Sequence, residues 1–338
     1  MSSTVLVSGG AGYIGSHTCR HLLAAGYALV VIDNFYSGHR WAVPQQAHLV
    51  EGDVGDYAMV SDVLRRYQID AVVHFAGHVV VPESVREPLK YYRNNTVASN
   101  RLLQACIDTG VEKFIFSSTA AVYGTPATLP VAEDAAVQPI NPYGTSKLMT
   151  EWMLRDLAAS GARFRYIALR YFNVAGARLD GTLGQATPNA THLIKVACEA
   201  ACGMRDGVTI YGTDYPTPDG TCIRDYIHVD DLASAHVAAL DYLRDNNDSQ
   251  ILNCGYGQGF SVRQILDTVK QVSNIDFSVT EGRRREGDPP SLIADASRIQ
   301  QRLSWHPTLQ DIKVICQSAY NWERNYLRMK STLAAGKH

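Results

Sequence analysis

The first half of the chain alternates short apolar, β-branched runs with segments whose hydrophobic residues recur at helical spacing. VLVSGG (5–10) reads as a strand, Ser16–Ala25 as a helix stopped by Gly26, and ALVVID (28–33) as a second strand, which makes one βαβ unit. Strands at 48–50, 71–77, 113–119 and 165–171 then take turns with helices at 57–67, within 89–109 and at 143–159. Strands that are apolar throughout, separated by helix-length segments, predict an α/β fold. Its parallel sheet is doubly wound and covered on both faces, and it receives ligands at the carboxyl ends of its strands.

After residue 172 the rhythm breaks into Gly-, Pro- and Asp-rich stretches at 173–184 and 212–220, which mark a second, smaller lobe. A helix near 230–243 returns to the first lobe. A helix at 261–273 and a strand at 276–281 continue the second, and 283–292, with its two prolines, reads as loop. The expected division is 1–172 plus about 222–250 for the first lobe, and about 173–221 plus 251–338 for the second. At 338 residues the chain exceeds the size at which single cores stop growing, and two lobes predict a cleft between them.

Composition narrows the function. The 31 basic against 33 acidic residues leave a net charge of −2, with one short basic run at Arg283–Arg285, so nucleic acid is not an expected partner. No apolar stretch nears the roughly 18 residues that cross a bilayer, and the amino terminus has no secretory pattern, so a cytoplasmic protein without a membrane partner is expected. The seven scattered cysteines include no C-x-x-C pair and predict buried thiols rather than a metal site.

Two patterns carry chemistry. The turn Gly9-Gly10-Ala11-Gly12-Tyr13-Ile14-Gly15 follows a strand and opens a helix, where bare backbone and a helix amino terminus cradle a diphosphate. Asp33 ends the second strand, where a carboxylate accepts from ribose hydroxyls and repels a 2′-phosphate; this predicts a Rossmann-type domain binding NAD rather than NADP, with Arg40 nearby to soften the exclusion. Within NPYGTSK, Tyr143 and Lys147 stand four apart on one helix face, and a cation beside a phenol brings its pKa toward the working range. Ser117, Ser118 and Thr119 end a strand where a hydroxyl can bridge substrate and Tyr143.

With GGAGYIGSHT (9–18), HFAG (74–77), FSSTAAVYG (116–124), NPYGTSK (141–147), RYFNVAGA (170–177), GTDYPTPDGTCIRDYIHVDDLA (212–233) and RREGD (284–288), the sequence resembles the extended short-chain dehydrogenase/reductase family along nearly its whole length. The resemblance, closest to the sugar-nucleotide 4-epimerases of that family, implies C4 epimerisation of a UDP-hexose. The reaction would pass through a transient 4-keto sugar, with tightly bound NAD recycled. It implies Tyr143 as base, Lys147 as partner of the nicotinamide ribose and of Tyr143, and Thr119 as the catalytic hydroxyl. Gly9, Gly12, Tyr13, Ile14, Asp33, Asn34, Asp53, Val54, Phe75, Ala76, Gly77, Asn95, Ser117 and Tyr171, with Tyr143 and Lys147, match cofactor contacts. On the UDP-sugar side it implies Thr119, Asn173, His192, Leu193, Tyr211, Arg224, Arg285, Asp288 and Leu292. A homodimer, paired through the helices at 89–109 and 143–159, is also implied.

Some positions depart from the family pattern. Val80 stands where some members carry a Lys near nicotinamide, Pro82 where others have Gly, and Leu292 where a Tyr or a smaller residue gates the sugar pocket; the bulk of Leu292 predicts poor use of N-acetylated sugars. A 4-epimerase of UDP-pentoses or UDP-uronic acids stays open. Ala120 and Ala121 after Thr119 count against a dehydratase, which needs an acid there, and the intact Tyr/Lys pair counts against a non-catalytic NAD sensor. His74, His228 and Tyr123 read as core residues.

Overall fold

The computed structural model describes residues 3–246, 248–285 and 287–335. The first lobe holds a seven-stranded parallel sheet with the order β10-β6-β5-β4-β1-β2-β3. Its strands are β1 (Thr4–Ser8), β2 (Ala28–Asp33), β3 (His48–Glu51), β4 (Ala71–His74), β5 (Lys113–Thr119), β6 (Arg165–Tyr171) and β10 (Gln250–Cys254). The order steps outward from β1 in both directions, so the topological switch lies beside β1, where the carboxyl ends of β1 and β4 part to leave a crevice. Helices α1 (Tyr13–Ala24) and α8 (Val229–Asp245) pack one face of the sheet around Val5, Val31 and Ile167. On the other face α2 (Tyr57–Arg66), α5 (Ala98–Thr109) and α6 (Pro142–Ala159) cover Leu6, Val72 and Phe114. Both faces of each central strand are therefore buried, which is why those strands read as unbroken apolar runs.

The second lobe is built from shorter pieces. Strand β9 (Ile223–His228) pairs with β7 (Asn173–Ala175), β11 (Gly259–Ser261) and β13 (Ser291–Leu292), while β8 (Val208–Tyr211) pairs in parallel with β12 (Val279–Gly282). Helices α7 (Leu193–Ala201), α9 (Val262–Ser273) and α11 (Ile312–Ala335) enclose a separate core around Ile194, Ile265 and Ile315. A capping box between Ser261 and Gln264 starts α9, and Asn274 in the left-handed region ends it.

Several expectations shift. The helix sought within 89–109 is α4 (Pro88–Tyr91), a π-helical stretch Tyr92–Val97 and then α5, and a further short helix α3 (Val81–Arg86) precedes it. Residues 223–228, placed by sequence with the first lobe, form β9 of the second-lobe sheet, because Arg224 and Tyr226 face the cleft and the second core. Residues 250–254, at the expected boundary, close the edge of the first sheet, because Leu252 and Cys254 extend the core beneath α8. The expected loop 283–292 ends in the two-residue strand β13, whose Ser291 and Leu292 lie in register with Ile223 and Arg224.

Candidate active site

A cavity of about 730 Å³ runs between the lobes, from the turn after β1 to the loop before β13. At its first-lobe end, Gly9 takes a φ of +71°, and a Cβ there would stand 2.7 Å from the Ala76 amide nitrogen. A Cβ on Gly15 would come within 2.3 Å of the Gly9 carbonyl oxygen. Only glycine lets the turn pack so closely on the loop after β4 and on α1. No side-chain cap covers the first turn of α1, so its amide groups are left to a ligand. Asp33 ends β2 with Oδ2 accepting from the Ala11 N–H at 2.9 Å and Oδ1 from the Phe35 N–H at 2.8 Å; burial raises its pKa, and these two bonds oppose the rise. Arg40 is turned away, paired with Glu51 and stacked 4.4 Å over the Phe35 ring.

The middle of the cavity is where β5 meets α6. Pro142 in the first turn and the Asn141 side chain, accepting from the Gly144 N–H at 2.9 Å, start α6 at the mouth of the cleft. Tyr143 and Thr119 both line the cavity here, the Thr119 hydroxyl close enough to act on the phenol, and Lys147 Nζ donates to the Ser117 carbonyl at 2.9 Å. Burial pushes the Tyr143 phenol above its usual range, and the Thr119 hydroxyl pulls it back. Burial also brings the Lys147 ammonium down to about 8. The Ser117 hydroxyl is hydrogen-bonded to Tyr171. Ser118 does not line the cavity: its hydroxyl donates to Glu151 at 2.5 Å.

At the second-lobe end, Arg224 on β9 pairs with Asp288. Burial alone lowers the Arg224 pKa, but the Asp288 carboxylate lifts it above its usual value. Arg285 stacks 4.0 Å over the Tyr211 ring, while Arg284 points elsewhere, to Asp214 at 2.7 Å and over Tyr215. Glu286 of this motif lies outside the described residues. His192 immediately precedes α7, and its side chain shares a 2.9 Å hydrogen bond with Gln185. Leu292, 8% exposed, walls the cavity beside Phe172.

Residues 5–255 match the NAD dependent epimerase/dehydratase family. The chain belongs to that family. It is 56% identical over 324 residues to the UDP-glucose 4-epimerase of Azospirillum brasilense, covering 96% of this chain and 93% of the relative. The UDP-glucose 4-epimerase of Brucella ovis in complex with NAD superposes with a TM-score of 0.91 at 46% identity, covering 94% of this chain and 98% of that one. That of Bifidobacterium longum in complex with NAD+ and UDP gives 0.92 at 38% identity, covering 96% and 98%. The dinucleotide that gives the NAD dependent epimerase/dehydratase family its name fits the residues present: a turn that a Cβ would fill, a helix start without a side-chain cap, and a carboxylate at the end of β2.

Of the residues that the resemblance implies, Asn95 alone stands behind the cavity wall. Its amide is consumed by the His78 backbone N–H at 2.8 Å, the His78 carbonyl at 3.0 Å and the Ser146 hydroxyl at 3.0 Å, so it braces the loop after β4 from outside. The remaining ones all line the cavity. Sequence reasoning missed Tyr36, His78, Phe172 and Gln185, which line it too. Phe172 follows directly on β6, and its place at a strand end was a usable signal; Gln185 lies in an irregular stretch with no period to read.

Proposed function

We propose that this chain catalyses NAD-dependent C4 epimerisation of a UDP-hexose, interconverting UDP-glucose and UDP-galactose through a transient 4-keto sugar. One observation carries the reading: the glycine turn, Tyr143 with Lys147 and Thr119, and the Arg224–Asp288 pair with Arg285 all face a single continuous cavity. The names of the relatives support it, in particular complexes with NAD and with UDP.

When bound, NAD supplies a reversible store for the electron pair removed at C4. Gly9, Gly12, Tyr13 and Ile14 would hold its diphosphate, and Asp33 the adenosine ribose. Tyr143, as phenolate, takes the proton from the sugar O4 and returns it after the sugar has presented its other face, so the product is neither oxidised nor reduced. Thr119, donating to the phenolate oxygen, favours that form against burial. Lys147 is assigned to the nicotinamide ribose and to stabilising the phenolate, although burial lowers the pKa of its ammonium. Arg224 and Arg285 grip the UDP diphosphate by charge-assisted bonds, with Asp288 holding Arg224 in place. Ala120 and Ala121 line the cavity after Thr119, where a dehydratase needs an acid to expel a hydroxyl.

Purified protein incubated with UDP-galactose and no added cofactor is expected to form UDP-glucose up to an equilibrium mixture, and to release NAD on denaturation. Unchanged sugar, with and without added NAD, would overturn the reading; UDP-xylose and UDP-glucuronate test the alternative epimerisations. Leu292 supports a preference for hexoses without an N-acetyl group, and equal kcat/KM for UDP-N-acetylglucosamine and UDP-glucose would remove that role. No helix among the described residues is long and apolar enough to cross a membrane. We read the protein as cytoplasmic, which the seven unpaired thiols support, and as a homodimer, which exposed Leu89, Val97 and Trp152 support; light scattering on the eluted protein tests the dimer.

A further inference from the structure

Two consecutive residues at the carboxyl end of β5 each hold a different side chain of α6: the Ser117 carbonyl accepts from Lys147 at 2.9 Å, and the Ser118 hydroxyl donates to Glu151 Oε1 at 2.5 Å. The next residue, Thr119, lines the cavity with Tyr143. Tyr143, Lys147 and Glu151 follow one another at intervals of four, so they share one helix face. The proposed reaction uses Tyr143, Lys147 and Thr119, whereas Glu151 does not line the cavity.

Glu151 is also tied to the neighbouring strands. Arg170 is the register partner of Ser118 on β6, and it meets the carboxylate with a two-pronged contact, Nε to Oε1 at 2.9 Å and Nη2 to Oε2 at 2.6 Å. The two side chains are 4% and 2% exposed. Arg170 also donates to the Tyr123 hydroxyl at 3.0 Å, and that hydroxyl donates to Asn253 on β10 at 2.7 Å. Apolar side chains of similar volume stabilise such a place as well as a buried ion pair does, so stability alone gives little reason for charges here. Directional bonds fix geometry, which apolar packing does loosely.

We infer that Glu151, with Ser118 and Arg170, is a positioning residue: it sets the advance of α6 along β5 and thereby holds the Tyr143 phenol against Thr119. The inference rests on the function proposed above. Misplacement of a reacting group by about 1 Å costs on the order of a hundredfold in rate, and one residue of helical slip is about 1.5 Å.

Ser118→Ala removes the bond between strand and carboxylate while leaving the ion pair intact, and Glu151→Gln keeps the shape but removes the charge. Both are expected to retain NAD and to bind UDP-galactose with little change in KM, while kcat falls about tenfold for Ser118→Ala and further for Glu151→Gln. The acid limb of the kcat profile should move to higher pH, because Tyr143 moves away from the Thr119 hydroxyl that favours its phenolate. Folded variants with wild-type kcat and an unmoved acid limb would overturn the inference; if Glu151→Gln does not fold, Ser118→Ala decides alone. Should the wild-type protein leave UDP-galactose unchanged, the functional reading fails separately. The positioning claim is then read from a crystal structure of Ser118→Ala: a displaced Tyr143 supports it, and an α6 and Tyr143 left in place sink it.

Discussion

At the dinucleotide end of the cavity the lining groups sit at the carboxyl ends of the strands of one seven-stranded parallel sheet, whereas at the nucleotide-sugar end they sit on β9, on the two-residue β13 and on the loop before it, with side-chain pairs between them. Gly9, Asp33, Ser117 and Thr119 are placed by the register of one sheet, and moving any of them means moving a strand. Arg224, in register with Phe260 and Leu292, and Arg285, on a loop, are oriented by Asp288 and by the Tyr211 ring, and neither belongs to the first core. The contrast teaches that the chemistry is locked to the fold while substrate choice is adjustable. Changes at the first end should therefore be read in kcat or cofactor retention, and changes at the second in KM.

Substitutions at the two ends put this contrast at risk in decreasing order of size. Tyr143→Phe is expected to lower kcat by about a thousandfold or more while NAD and UDP-sugar stay bound, as steady-state kinetics and bound-nucleotide assays would record; near wild-type turnover removes Tyr143 from its role. Lys147→Met should cost on the order of a hundredfold. Without its cation the Tyr143 phenol, already raised by burial, rises further, so the acid limb of kcat shifts to higher pH; an unshifted limb breaks the link between the two. Gly9→Ala forces a Cβ into a left-handed residue 2.7 Å from the Ala76 nitrogen, and the purified protein should carry less than about a tenth of the wild-type NAD content. Arg224→Met should raise KM for UDP-galactose roughly tenfold with kcat changed less than about threefold. A fall in kcat as large as that of Tyr143→Phe would erase the distinction between the ends.

Legibility in the sequence follows the same divide. Strands buried on both faces announce themselves as β-branched runs, so β5 and β6 lie where the sequence puts them, at 113–119 and 165–171. The glycine turn and the Tyr143/Lys147 spacing are local patterns, readable without the fold. Strands β7, β11 and β13 have two or three residues each, too few for any period, and they exist because β9 pairs with them. Asn95 is read from a motif alone, and only the fold shows the backbone of His78 wrapped around its amide. Glu151 reads as an ordinary helical acid until Arg170, 19 positions away, is folded against it.

The crossing of the chain between lobes has its own consequence. It enters the second lobe after β6, returns for α8 and β10, and leaves again for β11, so neither lobe is one unbroken length of polypeptide. No single cut releases a complete half, and a fragment ending at residue 172 lacks both α8, which with α1 covers one face of its sheet, and the strand that finishes its edge. The two lobes therefore share one folding fate: heat or denaturant should take them apart in a single cooperative step, and a lobe from a distant relative cannot be grafted in as a block.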